Sequence, residues 1–333
     1  MMKLLAGDIG GTKTTLALFS SPERLHEPEN VATYPSAAFG SLEQMICAFL
    51  GEHRVDRVDY AAFGVAGPVV GDRVAFTNLP WVIEKTSLAS GIGCPGVHLL
   101  NDLEAVGHGI PFLAPADLAL INPGVPDPRG PRAVIAPGTG LGEAYLTWDG
   151  ARHVPHASEG SHAEFGPSNA LQAELLDYLF EKYDHVSYEL VCSGMGIPNL
   201  YAFLKERKRC AEPAWLGEAI RKAPDPTVVI LGAALDEDEP CDICLAVLDL
   251  FISILGAEAG NLALKILPTG GLYLGGGIPP RFSAQLLDGR FMRSFLHKGR
   301  LSRVLENIPV SLILNPAAGL IGAAGAGFDR IPG

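Results

Sequence analysis

The chain has 333 residues, 48% of them hydrophobic and 19% charged, with a formal net charge of −12. That composition buries sizeable cores and excludes intrinsic disorder, and the length predicts two domains. The acidic balance opposes nucleic-acid and anionic-membrane partners, so a polyanionic substrate would need a local positive field from backbone amides and a metal ion. Six cysteines in a chain this long do not suggest a disulfide framework. Cys241 and Cys244 follow the acidic run 236–239 and Pro240, and they read as neighbours on the core face of a helix rather than as half of a zinc site. Asp8 interrupts the apolar start too early for a signal peptide, and the uncharged stretch 316–328 falls short of the roughly 20 apolar residues of a membrane span. A cytoplasmic location is therefore expected.

In chain order, residues 3–7 read as a buried strand, 9–12 as a tight turn and 14–20 as a second, β-rich strand. Leu42, Met45, Ile46 and Phe49 have helical spacing and predict a helix over 41–50. Residues 59–66 form another apolar strand ending at Gly67-Pro68. A further strand over 97–100 runs into Asn101-Asp102 and a helical stretch. These elements predict a mixed sheet with helices on it. Beyond a Pro/Gly-rich loop at 123–131, a strand over 132–136 ends in Gly138-Thr139-Gly140-Leu141-Gly142, followed by strand-like 144–148. Helical patterns cover 169–182, 196–208 and 241–264, and a strand over 272–275 meets Gly276-Gly277-Ile278-Pro279-Pro280. Small residues over 317–327 predict a last helix that packs closely. Strand, glycine turn and helix recur in both halves, which suggests two similar domains.

Three glycine turns carry the chemistry. Asp8-Ile9-Gly10-Gly11-Thr12-Lys13-Thr14 misses the P-loop pattern and leads into a strand, whereas a P-loop opens a helix. Its glycines would let backbone N–H groups approach an anion, and Asp8 could hold hydrated Mg²⁺; an ordinary hairpin turn is the alternative. Gly138-Thr139-Gly140-Leu141-Gly142 lacks Rossmann spacing and also precedes a strand. Gly275-Gly276-Gly277 precedes a proline able to open a helix whose N-terminus attracts anions. Asp102 stands where a strand ends and a helix begins, a place where α/β sheets bind ligands and also where an Asp commonly caps a helix. Glu159-Gly160-Ser161-His162 puts two polar groups in a glycine-flanked loop. His153 and His156 lie upstream, but no H-E-x-x-H pattern supports a metal site there. Glu189, before Ser193-Gly194, could equally be a solvated surface charge.

Taken in this order, the segments resemble the bacterial glucokinase family of the hexokinase–actin ATPase superfamily. The anchors are the Asp8 turn, Thr77-Asn78-Leu79-Pro80-Trp81, Asn101-Asp102-Leu103-Glu104-Ala105 and the Gly138 turn. Glu159-Gly160-Ser161-His162, Glu189 with Asn199-Leu200-Tyr201, and Gly275-Gly276-Gly277-Ile278-Pro279-Pro280-Arg281 complete the set. The resemblance implies a two-domain α/β fold of the hexokinase/actin (ribonuclease H-like) type, with mixed central sheets and a cleft between domains. The smaller domain would comprise 1–111 plus a returning helix in 316–333, and the larger 112–315. It further implies ATP and Mg²⁺, a homodimer, and glucose phosphorylation at the entry to glycolysis. Asn78, Asn101, Asp102, Glu159, His162 and Glu189 would hold the hexose. Asp8, Gly10, Gly11, Thr12, Lys13, Gly138, Thr139 and Gly140 would hold phosphates, with Asp8 on the metal through water. Gly275, Gly276 and Gly277 would lie near the adenosine. Lys13 departs from the Asn of many relatives, and Ala163-Glu164-Phe165-Gly166-Pro167 lacks the cysteines of the zinc-bearing repressor–kinase group.

The implied mechanism makes Asp102 the general base that accepts the proton of the sugar's primary hydroxyl as its oxygen attacks the γ-phosphorus. Domain closure over the bound sugar would keep water from the phosphoryl group. The rivals are a kinase for another hexose or with polyphosphate as donor, a sugar-sensing regulator, and an activase-like ATPase. A regulator would usually carry a DNA-binding helix pair ahead of the first strand, and an activase has no use for the Glu159, His162 and Glu189 set.

Overall fold

The computed structural model describes residues 2–67, 69–76, 79–207 and 209–331. Pro68, Thr77, Asn78 and Lys208 of the segments discussed above lie outside the described residues. Two sheets organise the chain. The first is built from β1 (Leu4–Ile9), β2 (Lys13–Phe19), β3 (Asn30–Pro35), β4 (Tyr60–Val65) and β5 (Val97–Asn101), in the spatial order β3-β2-β1-β4-β5. β1 and β2 form an antiparallel hairpin, as their strand–turn–strand pattern predicts, while β1, β4 and β5 run parallel.

Side chains alternate across a strand, and both faces of the inner strands are covered, so β1, β2 and β4 are apolar on both sides, whereas the edge strand β3 alternates exposed and half-buried residues. Leu5, Ile9, Leu16 and Leu18 join a core with Leu42, Met45, Ile46 and Phe49 of helix α1 (Leu42–Glu52). Leu4, Ala6, Ala17 and Phe19 join a core on the other side with Ala105 of α2 (Asp102–Gly109) and with Leu320, Ile321, Ala323 and Ala324 of the C-terminal helix Ala318–Phe328. That helix approaches α2 at backbone distance. A Cβ on Gly322 would overlap the Ala105 carbonyl, and one on Gly109 would overlap the Ala318 carbonyl.

The second sheet comprises β6 (Leu118–Asn122), β7 (Arg132–Pro137), β8 (Leu141–Trp148), β9 (His153–Ser158), β10 (Gly271–Leu274) and β11 (Val310–Ile313), in the order β9-β8-β7-β10-β11-β6. β7, β10 and β11 run parallel, and β7–β8 is a hairpin. Its core includes α3 (Ala170–Phe180), α4 (Gly196–Glu206) and the long α5 (Asp242–Ile266). α5 is long and apolar enough to cross a membrane, with mean hydropathy 1.9, yet 78% of its most apolar stretch is buried in protein. That burial makes it a core helix. Cys241 and Cys244, at its start, are both buried in the same core.

Contacts divide the chain into two compact units. One comprises Met1–Asp117, Asp149–Ala157 and Asn315–Gly333, and the other Leu118–Trp148 and Ser158–Leu314. The C-terminal helix thus belongs with the first sheet.

Candidate active site

In the first unit the paired registers put Ile9, Val65 and Asn101 in one row at the carboxyl ends of β1, β4 and β5. Asp8 precedes that row and Asp102 follows it. This edge of a parallel sheet is where α/β folds bind ligands. The turn after β1 is closed by a hydrogen bond from Gly10 N–H to the Lys13 carbonyl at 3.0 Å. A Cβ on Gly10 would press on that carbonyl at 2.8 Å. Ser36 braces the turn, donating its hydroxyl to the Gly10 carbonyl at 2.7 Å and its N–H to the Thr12 carbonyl at 3.0 Å. Thr12 and Lys13 are left exposed.

Burial pushes the Asp8 carboxyl above its usual range, and the positive charge of Lys13 opposes that shift. Gly319, in the first turn of the C-terminal helix, lies against Asp8, where even a Cβ would remain 3.7 Å from the carboxylate. A hard oxygen donor that burial leaves short of positive charge suits a hydrated magnesium ion, which keeps most of its waters and takes one or two carboxylates.

At the β5–α2 junction the cap is Asn101. Its side-chain oxygen accepts from Leu103 N–H at 2.9 Å and Glu104 N–H at 3.4 Å, while Glu104 Oε2 accepts from Asn101 N–H at 3.0 Å. This is a full capping box. Asn101 Nδ2 also donates to the Gly67 carbonyl at 3.2 Å. Asp102 is the first helical residue, half-buried, and its Oδ1 accepts from Leu103 N–H at 2.9 Å. The capping alternative considered for Asp102 is therefore met by its neighbour. Asn78 lies outside the described residues.

In the second unit the structure gathers the remaining residues. The Gly138–Gly140 turn joins β7 to β8, and its Gly138 and Thr139 carbonyls accept from Gly194 and Met195 N–H at 2.8 and 3.2 Å. Glu189 points into this turn, where Oε2 accepts from Leu141 N–H at 3.0 Å. A Cβ on Gly140 would overlap that carboxylate, so the glycine makes the approach possible. Glu189 N–H in turn donates to the Ser161 carbonyl at 3.1 Å, which ties Glu189 to the Glu159–His162 loop. Glu159 and His162 sit 3.9 Å apart and are both exposed, a spacing that contributes little energy and leaves them accessible. β10 lies beside β7, so its glycine turn abuts the Gly138 turn. Gly276 has φ +83°, and a Cβ there would collide with the Pro137 carbonyl. Pro279 opens only a short 3₁₀ turn, Pro279–Phe282, ahead of the five-residue helix Ser283–Leu287.

Beneath this cluster lies a pair of carboxylates that the sequence reading passed over. Glu143 on β8 is 2% exposed and Glu258 on α5 is 0% exposed, and Oε1 of each has no hydrogen-bond partner. Burial, and secondarily the charge of Glu258, pushes Glu143 up to about 7. The signals were a charged residue amid the apolar residues of a strand and an acid, Glu258, set within the small apolar run of a long apolar helix.

With this geometry in place, comparison with known proteins finds consistent likenesses. The glucokinase family model matches residues 5–328. A glucokinase of Nostoc punctiforme is 42% identical over 338 aligned residues, covering 97% of this chain and 98% of its own. The crystal structure of a glucokinase from an Antarctic psychrotroph matches with TM-score 0.81 at 31% identity, over 99% of this chain and all of that one. A ROK-family glucokinase from Streptomyces griseus, crystallised with glucose and AMPPNP, has a similar fold, with TM-score 0.65 at 19% identity over 98% and 99% of the two chains.

Proposed function

The chain belongs to the glucokinase family, and from that premise we propose that it transfers the γ-phosphoryl group of ATP to the 6-hydroxyl of glucose. Its fold is the two-domain hexokinase/actin-like α/β fold of the sugar kinases. Asp102 is the general base. The observation that carries this assignment is the division of roles at the β5–α2 junction: Asn101 completes the capping box with Glu104, so the cap does not depend on Asp102, whose Oδ1 only shares the Leu103 N–H. The carboxylate accepts the proton of the 6-hydroxyl while that oxygen attacks phosphorus and ADP leaves, which balances the transfer. Because the transition state is loose, positioning and charge neutralisation contribute most of the acceleration.

Asn78, Asn101, Glu159, His162 and Glu189 orient the sugar in this reading. The oxygen of Asn101 is engaged by its cap, so it acts chiefly by fixing the strand end. The Asp8 and Gly138 turns offer N–H groups to phosphate oxygens, and the Gly275 turn flanks the adenosine. When bound, Mg²⁺ would neutralise phosphate charge, and Asp8 would hold it through water. We further place the enzyme in the cytoplasm, as a homodimer, at the entry of glucose into glycolysis. The subunit count is checked by light scattering coupled to gel filtration, in which a monomer mass would refute the dimer.

The test of the reaction is sugar-dependent ADP release with Mg²⁺-ATP across glucose, mannose, fructose, galactose and N-acetylglucosamine. A strong glucose preference is expected. Turnover only with another sugar, or only with polyphosphate, would overturn the substrate assignment.

A further inference from the structure

Two loops that the proposed reading assigns to the sugar, Glu159–His162 and the Glu189 segment, rest on the same buried carboxylates. The backbone at Gly160 sits on Glu143 so closely that a Cβ there would overlap Glu143 Oε2. On the other side, Tyr188, which immediately precedes Glu189, is hydrogen-bonded with Glu258 and accepts from Asn261 Nδ2 at 3.0 Å. Asn261 Nδ2 also donates to Glu258 Oε2 at 2.9 Å, and Lys298 Nζ donates to Asn261 Oδ1 at 2.5 Å. Both carboxylates keep one oxygen buried without a hydrogen-bond partner. Were both ionised, each would leave an acceptor without a hydrogen bond, Glu258 Oε1 keeping only Lys265 Nζ at 3.9 Å, and the two would repel each other.

We propose that Glu143 and Glu258 hold one proton between them and together support the two sugar-binding loops from below, with Glu143 acting as a positioning residue for glucose. The proposal rests on the glucokinase reading above. The proton resides on Glu143, for two reasons. The groups around Glu143 are Glu258 and Lys265 of α5 and the buried thiol of Cys192, and the net effect of burial and Glu258 favours the neutral acid. Burial raises Glu258 as well, but there Asn261, Lys265, Tyr188 and Lys298 all oppose the rise and stabilise its charge, whereas Lys265 alone does so for Glu143. When Glu143 loses its proton, a negative charge appears under the Gly160 backbone, the loop is pushed away, and Glu159 and His162 lose their alignment. Glucose affinity therefore weakens as pH rises through the range near 7, while the chemistry at Asp102, in the other unit, changes less.

The experiment is the pH dependence of KM for glucose and of kcat from pH 6 to 8.5, for wild type, Glu143→Gln and Glu258→Gln. Wild-type KM is expected to rise about fivefold, with its inflection near 7. Glutamine at 143 imitates the neutral acid, so KM in that variant stays flat near the wild-type low-pH value. Glutamine at 258 removes the repelling charge and moves the inflection to lower pH. Infrared difference spectra of the wild type add a readout independent of any variant. The carbonyl band of a buried neutral carboxylic acid should be present at pH 6, be lost by pH 8.5, and be absent from Glu143→Gln. A Glu143→Gln enzyme whose KM rises with pH as in wild type, or a wild type without that band, overturns the proposal. Wild-type turnover of glucose with a flat KM overturns it and leaves the glucokinase reading intact. No glucose turnover at all overturns both.

Discussion

Asp102 occupies the first helical position of α2, beside a cap that Asn101 completes with Glu104. A positioned general base is worth about 10²–10⁴-fold in rate. Asp102→Asn is therefore expected to lower kcat within that range while glucose affinity, read by calorimetry, stays within tenfold. Near wild-type turnover in the variant would remove Asp102 from the mechanism. Gly140 offers a second test at this scale. Because a Cβ there overlaps the Glu189 carboxylate, Gly140→Ala should displace Glu189 and raise KM for glucose by about tenfold, equivalent to roughly 1.4 kcal/mol of binding. Steady-state kinetics would show it, and an unchanged KM would mean that Glu189 does not hold the sugar. Asp102 was legible in the sequence because a polar residue at a strand-to-helix junction is conspicuous. Which neighbour caps the helix was not legible, since Asn and Asp are both good caps and only the backbone angles choose between them. Glu143 was overlooked for a related reason. Its neighbourhood is assembled from α5 and the Gly160 loop, both remote in the chain.

Among elements, the β5–α2 junction and the α2 contact with the C-terminal helix give the sharpest expectations. Asn101→Ala removes the two accepted cap bonds and the bond to Gly67, at a cost of about 1–2 kcal/mol. Thermal denaturation should show Tm lower by about 2–4 °C for each kcal/mol lost. An unchanged Tm would show that the capping box adds nothing. Gly322→Ala places a methyl group on the Ala105 carbonyl and against Gly109 N at 2.5 Å. Backbone yields less than a side chain, so the loss should reach or exceed about 3 kcal/mol. Gly232→Ala, in the helix Pro226–Ala234, is the matched control: its Cβ would meet nothing within 4 Å, and alanine there should stabilise by roughly 0.5–1 kcal/mol. If both variants melt together, close helix packing is not what Gly322 provides. The small residues of the last helix predicted close packing, and it occurs. Its return to the N-terminal segment was implied by the family resemblance, but its partner helix α2 could not be read from the chain, because small-residue faces are nearly interchangeable in sequence and differ only in what the fold brings against them.

For the molecule as a whole, pH should act on stability through groups that the fold buries. Glu143 rises from its ordinary 4.5 to about 7 in the folded state. Between those two values the folded chain binds more protons than the unfolded chain, so this group's contribution to stability falls as pH rises and levels off above about 7. The full change is roughly 3 kcal/mol. His98 and His108 act with the opposite sign. Burial lowers both to about 4, so the unfolded state binds more protons between about 4 and 6.5 and stability rises with pH across that window. The difference between wild type and Glu143→Gln isolates the carboxyl: in denaturant titrations the variant should gain on wild type by about 3 kcal/mol between pH 4.5 and 7. A constant difference would mean that Glu143 is not the group that titrates. By itself the sequence determined strands β1, β2, β4, β5, β7, β8 and β10, the three glycine turns, the long core helix and the family, because each of these is written in local periodicity and in ordered motifs; β3, β6, β9 and β11 were not read from it. Only the tertiary structure decided which residue caps α2, that Glu189 enters the Gly138 turn past a glycine, and that two acids 115 positions apart share one buried site. Those facts depend on distances between remote segments, and burial, which sets the energy of a charge, is a property of the packed fold and not of any stretch of chain.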